Sequence, residues 1–436
     1  MNVPVSTGHA HATGSPLAFR LYRPRPGHPD WTRLQAEAVE LAQRLLPRLD
    51  PPRTGLVERR RRWRSYATTV RCYLRNRRLV RAGREDLRPL YFIWTVHWPC
   101  NFRCDYCDDH RGERYPELPK DGVLSTEDGL RLLRIMRTGT PSVYFSGGEP
   151  TLRSDLPTLT HAARDLDYFP IIINTNGSVV DRLLERDAWR AWLADTDIVI
   201  VSLDALDLRA LERMWGHPDP ERVLRNLLLL RELSGPLGFK LMVNTVIQPD
   251  AAGHASDVLD LANELGIWFC PVPMNSGPAV DRRLHDDPGY VVLGQRILSR
   301  KDQGYPISGS PRMLRRLLWS QAFTCRNTLK PHIDHDGHLF WPCKSSVNVA
   351  PRRLRVLDFE DVESLYRHAA GDLDPTGFHG PGARQCGGNC NWAQNYTTDT
   401  YVHGLRHLLS LVHDIAEFLP GQAGARVRPR AARSPV

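Results

Sequence analysis

Residues 90–107 read LYFIWTVHWPCNFRCDYC. Eight residues rich in aromatic and β-branched side chains lead, through a Trp-Pro pair, into cysteines at 100, 104 and 107. The apolar half predicts a strand covered on both faces, since its apolarity is continuous rather than alternating. The cysteine half poses a chemical question. A structural zinc ion closes a tetrahedron with four protein ligands, so either a fourth ligand such as His110 completes the set, or one position is left open.

Five further runs of the same kind follow: SVYFSG (142–147), PIIINTN (170–176), DIVIVSLD (197–204), KLMVNTVI (240–247) and IWFCPVPM (267–274). Longer stretches of helical period separate them, and Ser125 with Asp128 three residues on marks one helix start. Strands alternating with helices predict an α/β parallel array spanning 87–275, whose chemistry sits at the carboxyl ends of the strands. The polar motifs keep to the strands' later parts: CNFRCDYC, GGEP (147–150), NTNG (174–177) and MNSG (274–277) follow a strand, SLD (202–204) ends the fourth, and NTV (244–246) lies within the fifth.

At 41% hydrophobic and 25% charged residues, the composition excludes a disordered or membrane-spanning class. No run reaches the ~18 uninterrupted apolar residues of a spanning helix. The start, MNVPVSTGHAHATGSP, has neither the charged opening nor the apolar core of a signal peptide, so a cytoplasmic protein is expected. In a reducing compartment nine cysteines read as metal ligands or catalytic groups rather than disulfides. Seven fall into two sets, Cys100, Cys104, Cys107 and Cys325, Cys343, Cys386, Cys390, while Cys72 and Cys270 read as small buried hydrophobes.

CNFRCDYC resembles the C-x3-C-x2-C signature of the radical S-adenosylmethionine (radical SAM) enzymes, including an aromatic residue, Tyr106, before the last cysteine. The resemblance implies a partial (β/α)6 TIM-like barrel. It also implies that Cys100, Cys104 and Cys107 hold three irons of a [4Fe-4S] cluster whose fourth iron is chelated by SAM. Reduction then cleaves SAM to a 5′-deoxyadenosyl radical that abstracts hydrogen. Gly147, Gly148 and Glu149 of GGEP match the motif that receives the SAM amino group. Asn176 of NTNG matches a third-strand motif, and Ser202 matches a SAM contact in the molybdenum-cofactor cyclase branch. Asn244 and Met274 fall where related enzymes line the nucleoside pocket. Taken singly, each of these could be an ordinary strand-end cap or turn.

The second set, with IDHDGHLFWPC leading into Cys343, resembles the SPASM/Twitch extension, and its Asp-Gly pair is itself a hairpin signal. Full SPASM domains carry more cysteines, so the resemblance implies one auxiliary [4Fe-4S] cluster held by Cys325, Cys343, Cys386 and Cys390. Four thiolates leave no open iron; a four-cysteine zinc site is the competing reading. His332, Asp334, His335 and Asp336 read as surface or turn residues.

The formal charge of +9 is concentrated at the ends. Arginines fill 59–62 and recur to 84, and Trp63, Tyr66, Ala67, Val70, Tyr73 and Leu74 recur among them at helical spacing. This predicts a basic amphipathic helix that caps the barrel through its apolar face or touches a membrane surface. The expected organisation is a basic helical extension (1–86), the barrel (87–275), a connector (276–322), a Twitch/SPASM-like domain (323–400), and a C-terminal helix with a basic tail (401–436).

The resemblance implies a maturase or tailoring enzyme that abstracts hydrogen from a peptide or natural product, with electrons from a flavodoxin- or ferredoxin-like donor. A cofactor-biosynthetic or lipid-modifying enzyme is the alternative. A zinc-binding, nucleic-acid-associated protein is the non-enzymatic one, although no nucleic-acid-binding motif is present.

Overall fold

The six apolar runs form six strands, β1 Tyr91–Thr95, β2 Ser142–Ser146, β3 Ile171–Thr175, β4 Ile198–Ser202, β5 Lys240–Ile247 and β6 Trp268–Pro273. In this computed structural model they lie side by side in chain order, each parallel to the next. The structure describes residues 17, 19–84, 86–107, 122–277, 279–323, 325–341, 343–344, 352–371 and 393–407. The helices used below are α1 Trp31–Leu45, α2 Gly55–Arg81, α3 Thr126–Arg137, α4 Leu156–Asp165, α5 Leu208–Trp215, α6 Pro220–Leu237, α7 Ala252–Leu265, α8 Pro288–Asp302, α9 Pro311–Leu318, α10 Val362–Gly371 and α11 Thr397–Arg406. As the sequence predicts, the Ser125 side chain caps α3 by accepting from Asp128 N–H.

The continuous apolarity of the strands has two different causes. One set of alternate residues, Phe92, Trp94, Val143, Phe145, Ile171, Ile173, Val199, Val201, Leu241 and Val243, is buried in the main core. The other set faces the inside of the curved sheet. There Ile172, Ile198, Ile200 and Met242 form a separate small cluster with Tyr144, Trp268 and Cys270. Above this cluster the inner face lines a cavity, so the sheet is an open barrel filled on the outside only. Cys72 is buried as expected, whereas Cys270 borders the cavity.

After the two-residue strands β7 Asn275–Ser276 and β8 Ala279–Val280, helices α8 and α9 of the connector pack into the main core through Tyr290, Leu293, Ile297, Leu314, Leu317 and Leu318. The chain then returns to the sheet. β9 His332–Ile333 adds in parallel to the open edge of β1, and β10 His338–Trp341 and β11 Arg352–Arg355 continue it antiparallel. The Asp-Gly hairpin predicted before Cys343 is therefore found, hydrogen-bonded to the barrel sheet itself. Its turn residues are not on the surface: His332, Asp334 and His335 are all buried. Trp98 of the cysteine loop and the backbone of Leu124 cover the turn.

Of the N-terminal helices, α1 packs on the outside of the barrel and α2 covers the amino ends of its strands. Trp31, Leu34, Ala38, Ala42 and Leu45, spaced three and four apart, bury one face of α1 against α6. The amphipathic reading of α2 needs correction. Its buried stripe is polar, Glu58, Arg61, Ser65, Thr68, Cys72 and Asn76, while Trp63, Val70 and Leu74 face solvent. The reason lies in what α2 covers. Just before β2 and β3, Gly139 O, Tyr168 O and Phe169 O accept no backbone hydrogen bond among the described residues, whereas Pro141 O takes one from Phe169 N–H, and buried carbonyls left unpaired are costly. Arg61 donates to Tyr168 O (3.0 Å), Ser65 to Phe169 O (2.7 Å) and Pro141 O (3.1 Å), and Cys72 to Gly139 O (3.3 Å).

Arg61 also pairs with Asp197 at 2.5 Å, the two side chains 3% and 5% exposed. Replacing Arg61 by Ala strands a buried carboxylate beside β4 and is expected to cost about 3–5 kcal/mol, read from the urea midpoint at unchanged m-value.

Candidate active site

The cavity inside the barrel has a volume of about 570 Å³. Cys100, Cys104 and Cys107 all line it, at the carboxyl ends of the strands. Down the inner face, Thr95, Ser146, Asn174, Ser202 and Asn244 border its upper part, and Ile93, Tyr144, Ile172, Ile198, Ile200 and Met242 its lower part. Strand register explains this layering. Thr95 pairs with Ser146 and Ser202 with Asn244, while Ile93, Tyr144 and Ile172 are paired one inner position lower. The cavity is thus polar at the cysteines and apolar toward α2.

The cysteine loop is held from three sides. Toward β2, Gly148 N–H donates to His97 O (2.8 Å) and Glu149 N–H to Pro99 O (2.9 Å). A Cβ on Gly148 would lie 2.1 Å from Trp98 O and 2.4 Å from Pro99 O, and one on Gly147 would lie 2.5 Å from His97 O. The paired glycines therefore let two backbones touch. Toward β3, Asn176 Nδ2 lies 4.0 Å from Cys100 Sγ and 2.9 Å from Asn101 Oδ1, and Asn101 donates to Ser178 Oγ (2.8 Å). Toward α5, Arg103 N–H donates to Trp215 O (2.7 Å) and Asp105 N–H to Met214 O (3.0 Å), and the Phe102 and Trp215 rings stack at 5.1 Å.

Two buried carboxylates anchor this arrangement. Glu149 accepts from Thr151 N–H (3.0 Å), Thr151 Oγ1 (2.5 Å), Thr175 Oγ1 (2.6 Å) and Asn176 N–H (2.6 Å). Its oxygens thus lock GGEP to NTNG, and burial raises its pKa. Asp204 accepts from Tyr106 OH (2.6 Å), Trp215 Nε1 (2.7 Å) and Val246 N–H (2.8 Å). Burial raises Asp204 as well. Loss of hydration, with the Asp204 carboxylate beside it, pushes the Tyr106 hydroxyl far above its ordinary range. Burial also raises the Cys100 and Cys104 thiols.

Every expected SAM-pocket residue, Tyr106, Gly147, Gly148, Glu149, Asn176, Ser202, Asn244 and Met274, borders this one cavity. Sequence reading passed over Thr95, Ser146 and Asn174, although each sits an even number of positions from an apolar inner residue of its strand. Asp204 was visible only as the last letter of SLD.

A cluster fits the donor set. Cys100, Cys104 and Cys107 border one cavity together, and soft thiolates suit iron-sulfur ligation. Among the described residues, no group of three or more His, Cys, Asp or Glu side chains is arranged to hold a single metal ion. His110 lies outside the described residues, as do Cys386 and Cys390. Of the second set, Cys343 is buried with Asn395 Nδ2 at 3.8 Å from its Sγ, and Cys325 is half-buried.

Fold and site define an open parallel βα barrel with a three-thiol loop at the carboxyl ends of its strands. Residues 99–252 match the family model of the Radical SAM superfamily, so this stretch of the chain is a domain of that kind. Members use a [4Fe-4S] cluster and S-adenosylmethionine.

Among curated proteins, Molybdenum cofactor biosynthesis protein 1 of Drosophila melanogaster is 37% identical over 153 residues, 35% of this chain and 25% of the relative. GTP 3′,8-cyclase of Klebsiella pneumoniae is 33% identical over 174 residues, 39% of this chain and 50% of the relative. The chain thus spans no more than half the length of these relatives. Among solved structures, Streptococcus suis SuiB bound to precursor peptide SuiA aligns with a TM-score of 0.52 at 17% identity, covering 73% of each chain. Native anSMEcpe with bound AdoMet aligns with a TM-score of 0.50 at 16% identity, covering 75% of this chain and all of that one. At these identities the likeness is one of fold. Among the described residues, no helix is long and apolar enough to cross a membrane.

Proposed function

We propose that this protein is a radical SAM enzyme that cleaves S-adenosylmethionine reductively and abstracts hydrogen from a peptide or natural-product intermediate. The observation that carries this is the convergence of Cys100, Cys104 and Cys107 on a cavity that is polar beneath them and apolar below. Cys100, Cys104 and Cys107 would hold a [4Fe-4S] cluster, which would supply the electron for reductive cleavage of SAM.

The chain's own residues do the rest. Ser202 and Asn244, neighbours across β4 and β5, offer hydrogen-bonding groups to the nucleoside, and Met274 borders the same space from the end of β6. Asn176 sets the position of Cys100, and Asp204 sets that of Tyr106 and so of the loop between Cys104 and Cys107. The Ile172, Ile198, Ile200 and Met242 cluster keeps water from the cavity floor, which protects a radical from quenching. In this reading a flavodoxin- or ferredoxin-like protein donates the electrons. Cys325, Cys343, Cys386 and Cys390 hold a second, closed [4Fe-4S] cluster in a Twitch/SPASM-like domain.

The SuiB alignment with a peptide-bound structure supports the peptide reading. The apolar lower cavity favours a second one, a substrate with an extended apolar part, as in a lipid-modifying or cofactor-building enzyme.

Anaerobic purification with metal analysis tests the assignment. About eight irons per chain, with 5′-deoxyadenosine formed from SAM and reductant, is the expected outcome for two clusters. About four irons plus one zinc moves the second set to a structural zinc site, and zinc without iron overturns the proposal.

A further inference from the structure

We propose that the outer face of α2 is a docking surface for an anionic lipid bilayer. Among the described residues, five of the eight large hydrophobic side chains left exposed lie on this helix: Leu56 (82%), Val57 (65%), Trp63 (73%), Val70 (56%) and Leu74 (50%). Leu56, Trp63 and Val70 are spaced by seven, and Leu74 follows Val70 by four, so these side chains form one stripe about 27 Å long at the rise of an α-helix. An exposed, contiguous apolar strip of this kind marks an interaction site.

The arginines say what it meets. Four are occupied by carboxylates: the buried Arg61 by Asp197, and the more exposed Arg62 by Glu58, Arg64 by Asp167 and Arg75 by Glu363. Arg59, Arg60, Arg71, Arg77, Arg78 and Arg81 form no ion pair among the described residues. Helical geometry places Arg59 and Arg77 along one edge of the stripe, Arg60, Arg71 and Arg78 along the other, and Arg81 at its end. Apolar side chains with Trp at the centre and cations on both edges match a helix lying in the plane of a bilayer interface, its stripe in the acyl boundary and its guanidinium groups among lipid phosphates. A nucleic acid is the poorer match, because the middle of the surface would offer mostly apolar side chains where a phosphate backbone needs donors.

The position of the helix gives the contact a consequence. Tyr66, Thr69 and Tyr73, next around α2 from the stripe, border the lower, apolar part of the active-site cavity. Docking through α2 would set that end of the cavity against the lipid.

Co-sedimentation of the full chain with vesicles tests this separately from the radical chemistry. Expected is binding to phosphatidylcholine vesicles containing phosphatidylserine that exceeds binding to pure phosphatidylcholine by about tenfold or more and falls as salt is raised. The triple variant W63S/V70S/L74S, altered only at exposed positions, should lose about tenfold of that binding with iron content and melting temperature unchanged. No preference for the phosphatidylserine vesicles, or equal binding by the triple variant, overturns the proposal. So does wild-type dimerisation, by light scattering, that the variant abolishes without any vesicle binding. Oligonucleotide binding retained by the variant, with no vesicle binding by either protein, also overturns it and turns the surface into a nucleic-acid site.

Discussion

Replacing Cys104 by alanine is expected to reduce 5′-deoxyadenosine formation by more than about 100-fold, since loss of groups that merely orient a metal ligand already costs about 10–100-fold. The variant should also carry about four fewer irons than the wild type. Cys104 gives a clean test because the backbone on either side of it is held by groups other than its sulfur. Arg103 and Asp105 on either side are hydrogen-bonded to the end of α5, and Tyr106 is tied to Asp204. The backbone should therefore stay in place, and thermal unfolding of the iron-free variant should match that of the iron-free wild type. Retained iron and retained SAM cleavage would show that the ligand set is wrong.

Gly148→Ala should disable the same chemistry without touching a ligand. The new methyl group would sit 2.1 Å from Trp98 O and 2.4 Å from Pro99 O. Both are backbone atoms that no rotamer change can move. The cysteine loop must instead draw back from GGEP, loosening the hydrogen bonds of Gly148 to His97 and of Glu149 to Pro99. A shift of about 1 Å in a positioned reactant costs about 100-fold in rate, which is the expected loss in SAM cleavage. Overpacking should cost a further 1–3 kcal/mol or so of stability. Gly253→Ala in α7, where a Cβ meets nothing within 4 Å, serves as control and should leave cleavage unchanged. Equal activity of the two variants would mean that the loop contact is dispensable.

These two tests mark different depths of legibility. The cysteines and the double glycine stand out in the sequence, and the six strands that carry them read correctly because each is a short apolar run broken by polar motifs. What the glycines touch does not stand out. In the sequence, GGEP looks like a ligand-binding turn with a carboxylate to spare. In the structure, Glu149 takes four hydrogen bonds from Thr151, Thr175 and Asn176, and the glycines meet His97, Trp98 and Pro99. Apart from Thr151, two residues on, those partners lie 26 to about 50 residues away, and no local pattern names them.

Helix α2 shows the limit from the other side. Its period was legible, but which stripe it buries depended on what lay beneath. Apolar side chains usually turn inward because removing them from water is favourable. Here the surface to be covered is a row of strand-end carbonyls, and leaving those unpaired costs more than exposing a few aliphatic groups. Arg61, Ser65 and Cys72 therefore face the barrel, and Trp63, Val70 and Leu74 face out.

By itself the sequence determined the order of strands and helices, the end of the sheet where the polar motifs gather, and the three closely spaced thiols. These follow from residue type and short-range spacing. Only the tertiary structure decided that Asp204 and Glu149 brace the cysteine loop, that the cavity turns from polar to apolar along its strands, and that α2 shows its apolar stripe to solvent. Each depends on backbone groups distant in the chain being brought within hydrogen-bonding distance, and chain closure rather than local preference sets that proximity.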